Sequence, residues 1–161
     1  MTTSDPTMDR IVAAVGARDR DDLVELWSSL TTGGDPLHRC VAAHHLADMY
    51  DDPADALVWD ERALSAADGI DARSLEQSAP GVQVTALYPS LHLNIADDLR
   101  QLASFDNAAA HLEKARAALS SLDELDPDHA PYVAMLRDLV DEIDVMVRAR
   151  STEVRTSRPS G

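Results

Sequence analysis

Cysteine and aromatic residues are scarce in this chain: 161 residues carry one Cys, one Phe, two Trp and three Tyr. A lone thiol, Cys40, excludes an internal disulfide and fits a reducing compartment. Few aromatics, together with Ala and Leu recurring throughout, remove the usual material of β-strands. Basic residues are outnumbered 14 to 29 by acidic ones, and the formal charge of −15 argues against a general nucleic-acid binder, which needs a positive surface for phosphate. No apolar run approaches the roughly 20 residues that span a bilayer. The start Met1-Thr2-Thr3-Ser4-Asp5 lacks the basic and apolar regions of a signal peptide, so the expected location is cytoplasmic, with no membrane partner. A hydrophobic fraction of 45% is too high for wholesale disorder, and the length suits one domain with a core.

What is present reads as all-α. Four Asp-Pro pairs, Asp5-Pro6, Asp35-Pro36, Asp52-Pro53 and Asp126-Pro127, each offer a side-chain acceptor for free helix N–H groups, followed by a residue that has no N–H to satisfy. The apolar spacing predicts seven helices. The first four are Pro6 to Ala17, Arg20 to Leu30, Pro36 to Tyr50 and Pro53 to Ala67. A fifth begins between Val82 and Pro89 and runs to Ala103, a sixth spans Ser104 or Phe105 to Leu122, and a seventh follows Pro131. In the sixth, Ala108, Leu112, Ala115, Leu119 and Leu122 alternate steps of four and three, the seam of helix packed on helix. Asp68 to Gly81 breaks the pattern with Gly69, Pro80 and Gly81 and reads as a loop holding at most a short turn around Ser74 to Ser78. Residues 1–150 form a single helical domain on this reading. Residues 151–161 form a disordered basic tail, because the end from Arg148 onward has a charge of +3 and no apolar period to offset its ordering entropy. The remainder then carries −18.

Two segments look like one helix pair written twice. In the later one, Ala96, Ala108 and Ala115 stand at offsets of twelve and seven, with Ile95 before the first, Leu99 three after it and Phe105 at the turn. This resembles the tetratricopeptide repeat, in which small residues let the two helices of a 34-residue unit approach closely. On that template Ala96 replaces a Gly and His92 takes a position often held by Trp. The earlier segment, Pro36 to Ala67, repeats the offset of seven at Ala56 and Ala63. Its first helix admits two fits. One puts His44 at the close-packing position; the other aligns Leu46-Ala47-Asp48 with Ile95-Ala96-Asp97 and puts Ala47 there, which we prefer because His is large for that contact. The stretches Trp59-Asp60-Glu61-Arg62-Ala63-Leu64 and Leu87-Tyr88-Pro89-Ser90-Leu91-His92-Leu93-Asn94 are similar to uncharacterised bacterial proteins of this repeat class. The resemblance implies a superhelix of about seven antiparallel helices: three helix pairs, the first degenerate, and a C-terminal capping helix.

In such arrays the concave face is lined by the first helix of each pair. The resemblance therefore implies a partner-binding surface of His45, Asp48, Met49, Ser90, Asn94, Asp97, Arg100 and Gln101, with no cofactor, no metal and no catalytic residue. The expected function is a non-enzymatic scaffold or adaptor that binds a protein or peptide, of basic or mixed polarity because the surrounding field is acidic. Two other readings compete. A structural homo-oligomer, a homodimer for instance, would pack an apolar face of the first or seventh helix against a second copy. A metal-dependent enzyme or sensor would use His44 or His45 with Asp48 and His92, but neighbouring helical side chains point about 100° apart and no complete ligand signature appears. Cys40 lies on an apolar stripe between Leu37 and Val41 and reads as a core thiol. The doublets Asp51-Asp52, Asp60-Glu61 and Asp97-Asp98 read as solvated charge.

Overall fold

Three of the Asp-Pro pairs start helices through the same local chemistry. The carboxylate of Asp5 accepts from the backbone N–H groups of Thr7 and Met8 at 3.1 and 3.0 Å and begins α1 (Pro6–Ala17). Asp35 accepts from Leu37 at 2.8 Å and begins α3 (Pro36–Ala47); Asp52 accepts from Ala54 at 2.8 Å and begins α4 (Pro53–Asp68). Each satisfies donors that the first turn leaves without partners. The computed structural model describes residues 5–30, 33–78, 83–125 and 127–156. Asp126, of the fourth pair, lies outside them.

The other helices are α2 (Arg20–Ser29), α5 (Ala72–Ser78), α6 (Tyr88–Gln101), α7 (Phe105–Leu125) and α8 (Ala130–Arg148), with 3-10 turns at Val84–Ala86 and Pro127–His129. Among the described residues there is no strand, and the all-α expectation holds. The seven long helices coincide with the seven read from the sequence. The loop expected over 68–81 needs correction, because it contains the short α5. Leu75, 2% exposed, supplies a single buried anchor, and one apolar residue creates no period to detect.

Consecutive long helices pack on one another, and α6 also packs against α4 and α8. The small residues sit where the helices meet. Ala47, Ala56 and Ala63 are wholly buried in the α3–α4 pair, and Ala96, Ala108 and Ala115 in the α6–α7 pair. Ala47 is wholly buried, while the His44 side chain keeps 12% of its surface exposed. Two cores result. One gathers Ile11, Leu23, Leu26, Leu46 and Trp59 from α1 to α4; the other gathers Leu112, Leu119, Leu122, Leu136 and Ile143 from α7 and α8. Helix α6 joins them by sending Leu91 into the first and Leu93 and Ala96 into the second. Each fully buried Leu contributes about 1.5–3 kcal/mol relative to an exposed one.

Three helix ends close on a non-glycine residue with positive φ: Arg18 at 52°, Ala103 at 60° and Arg150 at 52°. At each, the following N–H reaches back five residues, from Asp19 to Ala14, Ser104 to Leu99 and Ser151 to Met146, the hydrogen bond that satisfies helix-end carbonyls. Helix α1 therefore ends at Ala17, the bound expected from the sequence. The closure at Arg150 turns the chain sharply off the end of α8.

Candidate functional site

Because α6 is covered by α4 on one side and by α7 and α8 on others, its polar residues enter the interior. Asp97 is 4% exposed, Asp98 1%, Asn94 1% and Arg100 fully buried, and Asp60 of α4 is fully buried as well. The expectation that Asp60-Glu61 and Asp97-Asp98 are solvated doublets is corrected at Asp60, Asp97 and Asp98. A one-sided helix would expose those carboxylates, and α6 is not one-sided.

Arg100 organises this region. Its Nε and Nη2 donate to Asp97 Oδ1 at 2.9 and 2.7 Å, a contact between neighbours on one helix face. Its Nη1 donates to the backbone carbonyls of Ser151 and Glu153 at 2.8 and 2.9 Å. The chain leaving α8 thus runs across α6 with two of its carbonyls held by one guanidinium. Two residues further on, Arg155 forms a bidentate pair with Glu142 of α8, Nε to Oε1 at 3.1 Å and Nη2 to Oε2 at 3.0 Å. The Arg155 side chain is 4% exposed, while Val154 beside it is 78% exposed. Residues 151–156 lie in this non-helical segment. Between the segment, α6 and the α3–α4 turn remains a cleft of about 180 Å³, lined by Asp48, Tyr50, Asp51, Asp97, Gln101 and Arg155 among others.

The eight residues expected to line a groove are divided by the fold. Asp48, Asp97 and Gln101 meet at that cleft. Arg100 lies beneath the C-terminal segment, Ser90 is buried and donates to Leu87 O at 3.0 Å, and both side-chain atoms of buried Asn94 lack a partner among the described residues. Met49 borders a separate shallow depression with Ala17 to Asp21. His45 is half-buried; burial pushes its pKa down, and nearby Asp48 pulls against the shift. Thus four of the eight, Ser90, Asn94, Asp97 and Arg100, are interior groups rather than an open wall.

The histidines separate into pairs. His44 stands 3.9 Å from Asp60 and its ring is 5.4 Å from that of His45. His92 instead faces His111 of α7, with Nδ1 to Nδ1 at 3.0 Å, and Tyr88 stacks on it at 6.3 Å. Desolvation first, then the neighbouring His111 and Lys114, lower the His92 pKa to about 4, so this pair is neutral near pH 7 and one ring nitrogen donates to the other. Among the described residues no group of three or more His, Cys, Asp or Glu side chains is arranged to hold a metal ion. Cys40 is a core thiol, 2% exposed, with its pKa pushed up to about 12 by burial. Among the described residues no helix is long and apolar enough to cross a membrane.

Sequence reasoning missed Glu142 and the backbone of 151–155. Neither carries a residue-type signal, since a carbonyl binds Arg100 whatever side chain accompanies it. No protein-family model, curated protein or solved structure matches the chain.

Proposed function

We propose that this chain is a non-enzymatic scaffold of tetratricopeptide-like type that binds an extended, basic segment of a protein along α6, in a reducing compartment such as the cytoplasm. The observation that carries the reading is the placement of residues 151–155: a non-helical stretch of chain gripped through its carbonyls by Arg100 and through the basic side chain of Arg155 by Glu142. Carbonyl recognition supplies affinity without regard to sequence, and side-chain contacts at alternate positions supply choice. The acidic neighbours Asp48, Asp51 and Asp97 favour an occupant bearing Arg or Lys. The chain's own segment then acts as a resident occupant, and a partner binds by replacing it. The spacing of Ala96, Ala108 and Ala115 at the α6–α7 contact supports the tetratricopeptide-like assignment.

The test uses a fluorescent peptide of residues 150–156, Arg-Ser-Thr-Glu-Val-Arg-Thr, titrated into the full chain and into a chain ending at Ala149. Saturable binding that is stronger in the shortened chain, weakens with salt and falls further in Asp48→Asn/Asp51→Asn is the expected result. Equal binding to both chains, or none to the shortened one, refutes the reading.

A further inference from the structure

We propose that the open cavity between α2, α3 and α4 is a binding site for a small organic oxyanion, a carboxylate or phosphate monoester with a short apolar body. The cavity measures about 280 Å³ and is lined by Trp27, Gly34, Pro36, Arg39, Arg62, Ser65, Ala66 and Gly69. In a chain with 29 acidic residues, none of these eight is acidic, and two are arginines.

The arginines converge from different helices on one aromatic group. The guanidinium carbon of Arg39 lies 4.5 Å from the centre of the Trp27 ring, and that of Arg62 lies 4.9 Å from Trp27 and 4.4 Å from Trp59. Trp27 and Trp59 meet edge to face at 5.1 Å, which fixes the platform. A guanidinium stacked on an indole is oriented through its face while its N–H edge stays available for oxygen in the plane. Arg39 spends one Nη on the carbonyl of Leu30. Among the described residues neither arginine forms an ion pair with a carboxylate.

The acids that flank the Pro36 and Gly69 wall have partners of their own: Asp35 caps Leu37 and Asp68 accepts from the Tyr88 hydroxyl at 2.8 Å. The shielded indole Nε1–H of Trp27 also has no acceptor among the described residues. Donors therefore exceed acceptors around this cavity, and an oxyanion supplies the missing oxygens. The volume sits at the low end for ligand sites, of the order of 300 Å³, which restricts the occupant to a compact molecule. Pro36, Ala66 and Gly69 offer it an apolar wall with no long side chain in the way.

The only two tryptophans of the chain, Trp27 and Trp59, both belong to this cluster, so intrinsic fluorescence reports on it directly. The full chain is titrated at constant ionic strength with butyrate, with ethyl phosphate, with chloride and with neutral butyramide. A saturable change with butyrate or ethyl phosphate, absent with chloride and butyramide, is expected, and the tighter of the two identifies the headgroup. Arg62→Gln, at an exposed position, should weaken it about tenfold or more. In the unaltered chain the same ligand should move one indole N–H resonance in a nitrogen–proton spectrum. A response that stays linear and equal to that of chloride, an affinity unchanged in Arg62→Gln, or both indole resonances unmoved at saturation overturns the proposal.

Discussion

Replacing Arg100 by Met tests how the C-terminal segment and α6 hold each other. The guanidinium is fully buried and makes four hydrogen bonds, two to Asp97 and two to backbone carbonyls. Removing it leaves the Asp97 carboxylate, 4% exposed, without its cation, and breaking one half of such a buried pair costs about 3–5 kcal/mol. Against the roughly 5–15 kcal/mol that holds a domain together, this is a large fraction. Removing both charges with Arg100→Met/Asp97→Leu relieves the uncompensated carboxylate, so the double variant should be more stable than Arg100→Met by about 1–3 kcal/mol. A chain ending at Arg150 loses the two carbonyls and the Arg155–Glu142 pair, whose remaining partners return to water, and should lose about 1–2 kcal/mol. Urea unfolding followed by far-ultraviolet circular dichroism measures these proteins, the unaltered chain and the single variant Asp97→Leu that completes the cycle. A cost below about 1 kcal/mol for Arg100→Met, or strictly additive single effects, would show that the pair and the segment are not coupled as described.

Other outcomes follow from the same coordinates. Ala115→Leu adds three heavy atoms to the wholly buried α6–α7 seam and should cost about 1–3 kcal/mol, whereas Ala110→Leu, exposed on α7, should stay within about 0.5 kcal/mol in the same unfolding assay. Ala103→Gly relieves a side chain at φ 60° and should raise the urea midpoint, by a stabilisation of about 0.5–1 kcal/mol. For His92 the folded pKa lies near 4, below the usual His value of 6.5, so the unfolded state binds the extra proton first. Its contribution is complete above pH 6.5 and is lost as pH falls toward 4. The loss is at most about 3 kcal/mol, nearer 1–2 after screening at this half-buried site. His92→Phe should flatten that part of the stability–pH profile, and an unchanged slope refutes the assignment.

The helices were legible because their signals are local. Asp5, Asp35 and Asp52 cap within two or three residues of themselves, and the alanine offsets at 96, 108 and 115 record a packing distance in residue size. The polar interior was not legible. A period of apolar residues finds one buried face, and α6 has more than one, so Asp97 and Asp98 read as surface while lying inside. The cleft was half legible: Asp48, Asp97 and Gln101 were expected together and meet, but their nearest occupant is the chain's own end. That end carries no apolar period. Hydrogen bonds from Arg100 reach its backbone carbonyls, and these leave no trace in residue type. The Trp27, Arg39 and Arg62 cluster joins three helices at spacings that match no motif, and only the packing of α2, α3 and α4 assembles it.

Nitrogen-15 relaxation along residues 148–156 of the full chain tests most directly whether the extended segment belongs to the cleft. Order parameters of about 0.8 from Ser151 through Arg155, level with those of α8, are predicted. Values below about 0.6 beginning at Ser151 would contradict a segment fastened by Arg100 and Glu142.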